Sequence, residues 1–313
     1  MAGTQRVLVL CRLSTASRAD LAGRFRLVDS YASPLNLEAF LASVAADDDP
    51  PRVSLVSGWG NVPVDAGFLD AVPSLECVVT DSANVSHIDL HECARRGVAV
   101  ANAAGVYSAD VADHAIGLLI EVLRRVSAAN GARGSMLGGK RVGVIGLGSI
   151  GAAIARRLQQ AFGCAVSYSS RRRRDDVPYR YFSTVRDLAE HSDALVVACA
   201  LTTETWHIVD GAVLDALGNS GVLVNVARGG NVDEAELVKA LAEGRLAGAG
   251  LDVLEYEPKV PAELMEMDNV VLTPHQAAFT PESVADLHRL IVNNLEAFFA
   301  RQPLLTPVIA STS

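Results

Sequence analysis

The sequence predicts an α/β protein of two doubly wound domains, parallel sheets with helices on both faces. Three observations predict it. Strand-like and helix-like segments alternate along the chain, the pattern left by parallel strands joined through helical crossovers. The run Val142-Gly-Val-Ile-Gly-Leu-Gly-Ser-Ile-Gly151 reads as a buried strand, a tight turn and the start of a helix. The 313 residues, 50% of them hydrophobic, are enough for two cores of ordinary size.

In the first hundred residues, Val7–Leu10, Val53–Val56, Cys77–Thr80 and Val98–Val100 read as strands. Helical patterns lie between them, near Asn36–Val44, Ala66–Ala71 and Ile88–Arg96, and Asp47-Asp-Asp-Pro-Pro51 reads as an acidic surface loop. A long helix follows: Val111, Ala115, Leu118, Leu119, Val122 and Val126 recur at helical spacing, with Asp110 as the expected N-cap. Asn130–Gly139 reads as a linker. Six further strands are predicted near Val142–Ile145, Ala165–Tyr168, Ala194–Ala198, Val222–Val226, Gly248–Asp252 and Val270–Leu272, and the last helical pattern spans Val284–Phe299. A sheet of this kind in mid-chain makes the flanking segments candidates for one split domain.

The glycine run has the spacing of a dinucleotide fingerprint. Gly146 permits the tight turn, Gly148 lets a pyrophosphate approach the backbone, and Gly151 lets helix and strand pack closely. Free N–H groups at the helix start then face the phosphates. About 20 residues beyond the last glycine, an NAD-preferring site places a carboxylate on the ribose 2′-hydroxyl. Here the chain reads Ser169-Ser-Arg-Arg-Arg-Arg174. Hydroxyls and guanidiniums there suit a 2′-phosphate, so NADPH is expected over NADH, which would serve more weakly. The competing reading is a solvated basic loop partly neutralised by Asp175 and Asp176.

Ligands of open α/β sheets bind beyond the strand C-termini. Three reactive residue types fall there: Arg228 after Val222–Val226, Glu257 after the strand ending at Asp252, and His275 after Val270–Leu272. The set suits reduction of a 2-keto acid. Arg228 binds the carboxylate and polarises the keto oxygen, His275 delivers the proton, and Glu257 is an anion favouring the protonated ring. Singly, each has a plainer reading: an interface arginine, a solvated loop glutamate (Glu255 equally), a structural histidine.

The formal charge of −9 argues against nucleic-acid binding. No signal peptide, transit segment or apolar stretch near membrane-spanning length is visible, so no membrane association is expected. Five scattered cysteines (Cys11, Cys77, Cys93, Cys164 and Cys199) fit buried thiols in a reducing compartment, with the cytoplasm as the default location. No cluster has metal-ligand spacing.

At these residues the chain resembles the D-isomer-specific 2-hydroxyacid dehydrogenases. The resemblance runs through Gly139-Lys-Arg-Val-Gly-Val-Ile-Gly-Leu-Gly-Ser-Ile-Gly151, Leu201-Thr-Thr-Glu-Thr-Trp-His-Ile208, Val224-Asn-Val-Ala-Arg-Gly-Gly230, Gly248-Ala-Gly-Leu-Asp-Val-Leu-Glu-Tyr-Glu-Pro258 and Asn269-Val-Val-Leu-Thr-Pro-His275. Within the family it is most similar to plant hydroxyphenylpyruvate and glyoxylate/hydroxypyruvate reductases, on Ser169-Ser-Arg, Val177-Pro-Tyr-Arg-Tyr-Phe182 and the tail Asn294–Pro307. The resemblance implies two Rossmann-like domains: a discontinuous substrate domain of residues 1–101 with 283–313, and a dinucleotide domain of residues 102–282. It implies Arg228, Glu257 and His275 as the catalytic triad. It implies cofactor contacts from Gly148, Ser149 and Ile150, from Ser170, Arg171 and Arg172, from Ala227 and Arg228, and from Asp252. It also implies a homodimer with the Asp110–Val126 helix in the subunit contact.

One departure bears on the substrate. Family members carry a glycine in a loop whose backbone N–H groups hold the substrate carboxylate; this chain reads Ser82-Ala83-Asn84-Val85. Asparagine tolerates left-handed angles, so Ala83 and Asn84 are expected to keep the loop's shape while the Asn84 side chain alters the pocket. Trp59 is either a wall of that pocket or a core residue. The reading is an NADPH-dependent reductase of glyoxylate, hydroxypyruvate or hydroxyphenylpyruvate; the alternative is a non-catalytic dinucleotide sensor resembling corepressors of the same fold.

Overall fold

The computed structural model describes residues 5–58, 62–127 and 134–309; Trp59 lies outside them. The chain divides into two compact units, Met1–Tyr107 with Pro281–Ser313, and Ser108–Thr280.

The first unit alternates β1 (Arg6–Leu10), α1 (Thr15–Arg24), β2 (Arg26–Asp29), α2 (Leu37–Ala45), β3 (Val53–Val56), α3 (Ala66–Ala71), β4 (Cys77–Thr80), α4 (Leu90–Arg96) and β5 (Ala99–Ala101). Its five strands are parallel in the order β2-β1-β3-β4-β5. Successive side chains of a strand point to opposite faces, and both faces are used. Leu8, Leu10, Val56, Val78 and Val100 pack with Phe40, Leu41, Phe68, Leu69 and Cys93 of α2, α3 and α4. Val7, Val9, Val53, Leu55 and Val79 pack with Leu21 of α1 and with Ile291, Val292 and Leu295 of the C-terminal helix, Pro281–Phe299. That explains the unbroken apolar runs of the central strands.

The second unit runs α5 (Ser108–Arg124), β6 (Arg141–Ile145), α6 (Ser149–Phe162), β7 (Ala165–Ser169), β8 (Arg180–Phe182), α7 (Val185–Glu190), β9 (Ala194–Val197), α8 (Gly211–Leu217), β10 (Val222–Asn225), α9 (Glu234–Ala242), β11 (Gly248–Leu251), α10 (Ala262–Glu266) and β12 (Val270–Leu272). All seven strands are parallel, in the order β12-β11-β10-β9-β6-β7-β8. The winding reverses between β6 and β9, which is where a ligand crevice opens in such sheets. On one face α5 lies over β10 and β11. Gly248 and Gly250 admit it, with Leu118 and Val122 of α5 filling the space a side chain would take.

Some elements depart from the sequence reading. The edge strands β2 and β8 were not anticipated, since neither carries an apolar run. α4 begins at Leu90, with the Asp89 carboxylate capping it on the Glu92 N–H. The C-terminal helix begins at Pro281, three residues before the apolar periodicity, because proline suits a first helical position. α5 begins at Ser108, so Asp110 sits inside the first turn, where its carboxylate accepts the Thr280 hydroxyl. Among the described residues no helix is long and apolar enough to cross a membrane.

Candidate active site

The glycine turn lies at the switch point. β6 is buried from Val142 to Ile145, and Gly146 leaves it at φ +90°, its N–H bonded to the Ser169 carbonyl at 2.8 Å. The Gly146 Cα backs onto Cys199, and a Cβ on Gly151 would overlap the Gly146 carbonyl oxygen, so larger residues at either position would push turn and helix apart. Gly148 is the N-cap of α6 and supplies no side-chain cap, and the space beside its Cα is open. Ser149 and Ile150 open the helix. An uncapped N-terminus with backbone room in front of it fits a pyrophosphate.

β7 ends at Ser169 with no carboxylate in place. The Ser170 hydroxyl donates to the Arg172 carbonyl at 2.7 Å. The arginine run is not uniform. Arg174 pairs with Asp176 at 2.5 Å and donates to the Leu147 carbonyl at 3.0 Å, tying the loop to the glycine turn. Arg173 lies 3.3 Å from Asp175. Arg171 and Arg172 are exposed and, among the described residues, stand in no ion pair. The neutralised-loop reading thus describes the second pair of arginines and not the first.

The three post-strand residues converge within this unit. After β10, the buried Asn225 side chain folds back, accepting the Ala227 N–H at 3.0 Å and donating to the Arg228 carbonyl at 2.9 Å. The buried Asn231 accepts the Arg228 N–H at 3.2 Å and donates to the Thr205 carbonyl at 3.1 Å. Together they fix the backbone that presents Arg228, whose Nη1 donates to the Ala227 carbonyl at 2.6 Å. Burial pulls the guanidinium below the usual arginine value and Glu257 pulls it back; it stays protonated at physiological pH. Gly229 presses on the backbone at Leu254–Glu255, where any Cβ would overlap, so the Arg228 loop lies directly against the loop carrying Glu257.

The Glu257 carboxylate accepts the Leu254 N–H at 2.8 Å through Oε1 and contacts His275 Nδ1 at 2.8 Å through Oε2. Partial burial opposes its charge, but these two bonds outweigh burial and hold the carboxyl below the usual carboxylate range. Glu255, two residues earlier, is engaged elsewhere: its N–H donates to Glu234 at 2.9 Å, and its carboxylate lies 3.2 Å from His207 Nε2. His275 sits at φ +52°. Its N–H donates to the Asp252 carbonyl at 2.8 Å, while the buried Asp252 carboxylate accepts the N–H groups of Gln276 at 2.9 Å and Ala277 at 3.0 Å. Burial raises the Asp252 pKa, but its four hydrogen bonds outweigh this and leave it lowered and ionised. An acid–base pair, a guanidinium and a glycine cradle thus stand at the C-terminal ends of one sheet.

In the other unit, the loop after β4 holds Asn84 outside the left-handed region. Among the described residues, the non-glycine positions at positive φ are Arg125, His207, His275 and Arg301, and Asn84 is not one of them. Its side-chain oxygen accepts the Ser86 N–H at 2.9 Å, and its own N–H donates to Ser82 Oγ at 3.1 Å, closing local turns without a left-handed residue. The Ala83 carbonyl accepts Asn102 Nδ2 at 2.9 Å. Beneath it, burial pushes the Asp81 carboxyl up from its ordinary value.

Residues 117–277 match the family described as D-isomer specific 2-hydroxyacid dehydrogenase, NAD binding domain. Among characterised relatives, a glyoxylate/hydroxypyruvate reductase (HPR3) of Arabidopsis thaliana is 46% identical over 295 residues, covering 90% of each chain. A hydroxyphenylpyruvate reductase of Plectranthus scutellarioides is 45% identical over an alignment of 315 residues, covering 97% of this chain and 98% of that one. Among solved structures, a 2-hydroxyacid dehydrogenase from Ketogulonicigenium vulgare Y25 superposes with a TM-score of 0.90 at 32% identity, covering 99% of both chains. An NADPH-dependent glyoxylate/hydroxypyruvate reductase from Sinorhizobium meliloti, in complex with NADP and malonate, gives 0.83 at 38% identity, covering 97% of this chain and 96% of that one. With the glycine cradle, the post-strand guanidinium and the Glu257–His275 pair all on one sheet, and with likeness over nearly its whole length, the chain belongs to the D-isomer-specific 2-hydroxyacid dehydrogenases.

Proposed function

We propose that this protein reduces small 2-keto acids to D-2-hydroxy acids with NADPH, glyoxylate and hydroxypyruvate first and hydroxyphenylpyruvate next. The observation that carries the reading is the Glu257–His275 contact of 2.8 Å beside Arg228. Bound at the glycine cradle, a reduced nicotinamide dinucleotide supplies the hydride. Gly146, Gly148, Ser149, Ile150 and Gly151 would hold its pyrophosphate, with Ala227 and Asp252 further along the same strand ends. Arg228 binds the substrate carboxylate and draws charge toward the keto oxygen. Glu257 holds His275 by Nδ1, which assigns proton delivery to Nε2. The ordered pair and the guanidinium disfavour the sensor reading, which needs none of them. Residues of the first unit, including Ala83 and Asn84, are assigned to the substrate, and the relatives' names support the substrate class. The location we favour is the cytoplasm, where free cysteines such as Cys11, Cys77 and Cys93 stay reduced, and the assembly we favour is a homodimer.

The test is NADPH absorbance followed against a panel of keto acids. Turnover with glyoxylate or hydroxypyruvate is expected; no consumption with any acid, despite tight coenzyme binding, overturns the reading. The coenzyme preference rests on Ser169–Arg172. Replacing Arg171 by alanine is expected to raise KM for NADPH about tenfold, the loss of one charge-assisted phosphate contact, with little change for NADH. Equal kcat/KM for the two coenzymes in the wild type removes the preference.

The Glu257→Gln variant tests the pair. Glu257, held below the usual carboxylate range, stays ionised as the pH falls toward that range, so its anion accompanies His275 at all neutral and alkaline pH. Without that anion the ring loses the charged acceptor that orients it, and the pH dependence of kcat/KM for reduction is expected to change. Superimposable profiles would exclude the role.

A further inference from the structure

His275 is held in a left-handed backbone conformation, which costs a non-glycine residue free energy and persists only where its surroundings impose it. The Asp252 carboxylate brackets it, accepting the N–H groups of Gln276 and Ala277 immediately after His275 and the Thr273 hydroxyl at 2.6 Å before it. One further side chain reaches this carboxylate. His114, on α5, places Nε2 3.0 Å from Thr273 Oγ1 and 3.4 Å from Asp252 Oδ1. The hydrogen positions follow by elimination. Thr273 has a single hydroxyl hydrogen and gives it to the much closer carboxylate, so toward His114 it can only accept. His114 Nε2 is therefore the donor, shared between the hydroxyl and the carboxylate.

We infer that His114 is a positioning residue for the reaction: its Nε2–H locks the Thr273 hydroxyl and the Asp252 carboxylate in the rotamers that hold His275 in place. The inference rests on the assignment of His275 as proton donor. α5 is well suited to the task. Its Val111, Ala115, Leu118, Leu119 and Val122 are buried in the unit, so the helix that carries His114 is fixed by the same core as the strands. His114 lines a cleft of about 330 Å³ with Gln276, Ala277 and Thr280, and the cleft's charged residues, Asp110 and Asp113, are tied to Thr280 and Arg157. The Nε2 proton thus has its acceptors in the Thr273 hydroxyl, on the His275 loop, and in the Asp252 carboxylate that holds that loop. Packing alone would be met by any residue of this size; the inference is that donation at Nε2 is needed.

The test compares His114→Leu, which fills the space without donating, with His114→Gln, whose amide nitrogen offers a donor at similar reach. Misplacing a reacting group by a fraction of an ångström to an ångström costs on the order of 10- to 100-fold. A loss of that size in kcat is expected for H114L, with the Kd for NADPH within about threefold of wild type, a margin worth well under 1 kcal/mol, and with most of the turnover regained in H114Q. Thr273→Val and Thr273→Ser give a second pair, should H114L fold poorly: the valine variant falls like H114L, the serine variant stays near wild type, and H114L adds little on top of T273V. Hydrogen–deuterium exchange over residues 273–277 reads the same brace without any turnover, and is expected to speed up in H114L and T273V only. H114L with wild-type kcat and unchanged exchange, or H114Q falling as far as H114L, overturns the inference. A wild type inert toward every keto acid but showing the exchange pattern overturns the reductase reading and leaves the brace standing.

Discussion

Replacing His275 by alanine is expected to lower kcat for keto-acid reduction by about 10²- to 10⁴-fold, the usual contribution of a positioned general acid. Coenzyme binding should survive, because the glycine cradle and the Ser169–Arg172 segment lie after β6 and β7 while His275 follows β12. The separation rests on how the His275 loop is held. The loop is held by its backbone: N–H groups of residues 275, 276 and 277 run to Asp252. Alanine at φ +52° carries a modest strain, so asparagine, which tolerates that region, is the useful companion variant. If His275→Asn turns over at the wild-type rate while binding NADPH normally, His275 is not the proton donor.

The second large effect is at Arg228. Alanine there removes the forked donor proposed to grip the carboxylate and polarise the keto oxygen, and kcat/KM is expected to fall by about 10³-fold or more, as when charged donors of a developing oxyanion are removed. KM and kcat should both suffer, because one side chain serves ground-state binding and the charge that grows on the keto oxygen. Lysine should rescue little, since a point charge does not reproduce a planar fork. The backbone at Arg228 keeps its bonds to Asn225 and Asn231 when the guanidinium's own bond to the Ala227 carbonyl is lost, so folding should be near normal and circular dichroism should confirm it. An Arg228→Ala enzyme that loses only KM, with kcat intact, would reduce the residue to a carboxylate anchor.

Much of this was legible in the sequence because the chemistry follows strands whose apolar runs are unmistakable. β6, β10, β11 and β12 are buried central strands or their neighbours, and the residue types after them are few. The unanticipated parts share a physical cause. β2 and β8 lie at sheet edges, where one side of the ladder faces solvent and no hydrophobic pattern is needed. Asn225 and Asn231 carry no role in the sequence reading; asparagine inside an otherwise apolar strand ending is a readable sign that a turn will be held by a buried amide. Glu257 was singled out over Glu255 in the sequence, and the fold shows Glu255 facing His207 and Glu257 facing His275. His114 and Thr273 lie 159 positions apart, a pairing that no local pattern announces. Asn84 went the other way: its tolerance of left-handed angles was a sound local argument, but its side chain found a nearer solution in the Ser86 N–H.

Tyr168 is the largest fully buried side chain among the described residues, and its hydroxyl takes the N–H of Arg174 at 2.7 Å and gives its own hydrogen to the Arg174 carbonyl at 3.2 Å. The stretch between is therefore a tether clamped at both ends, with only a few solvent-facing letters free to be rewritten. Selection, or a protein engineer, can exchange those letters without unfastening the sheet beneath.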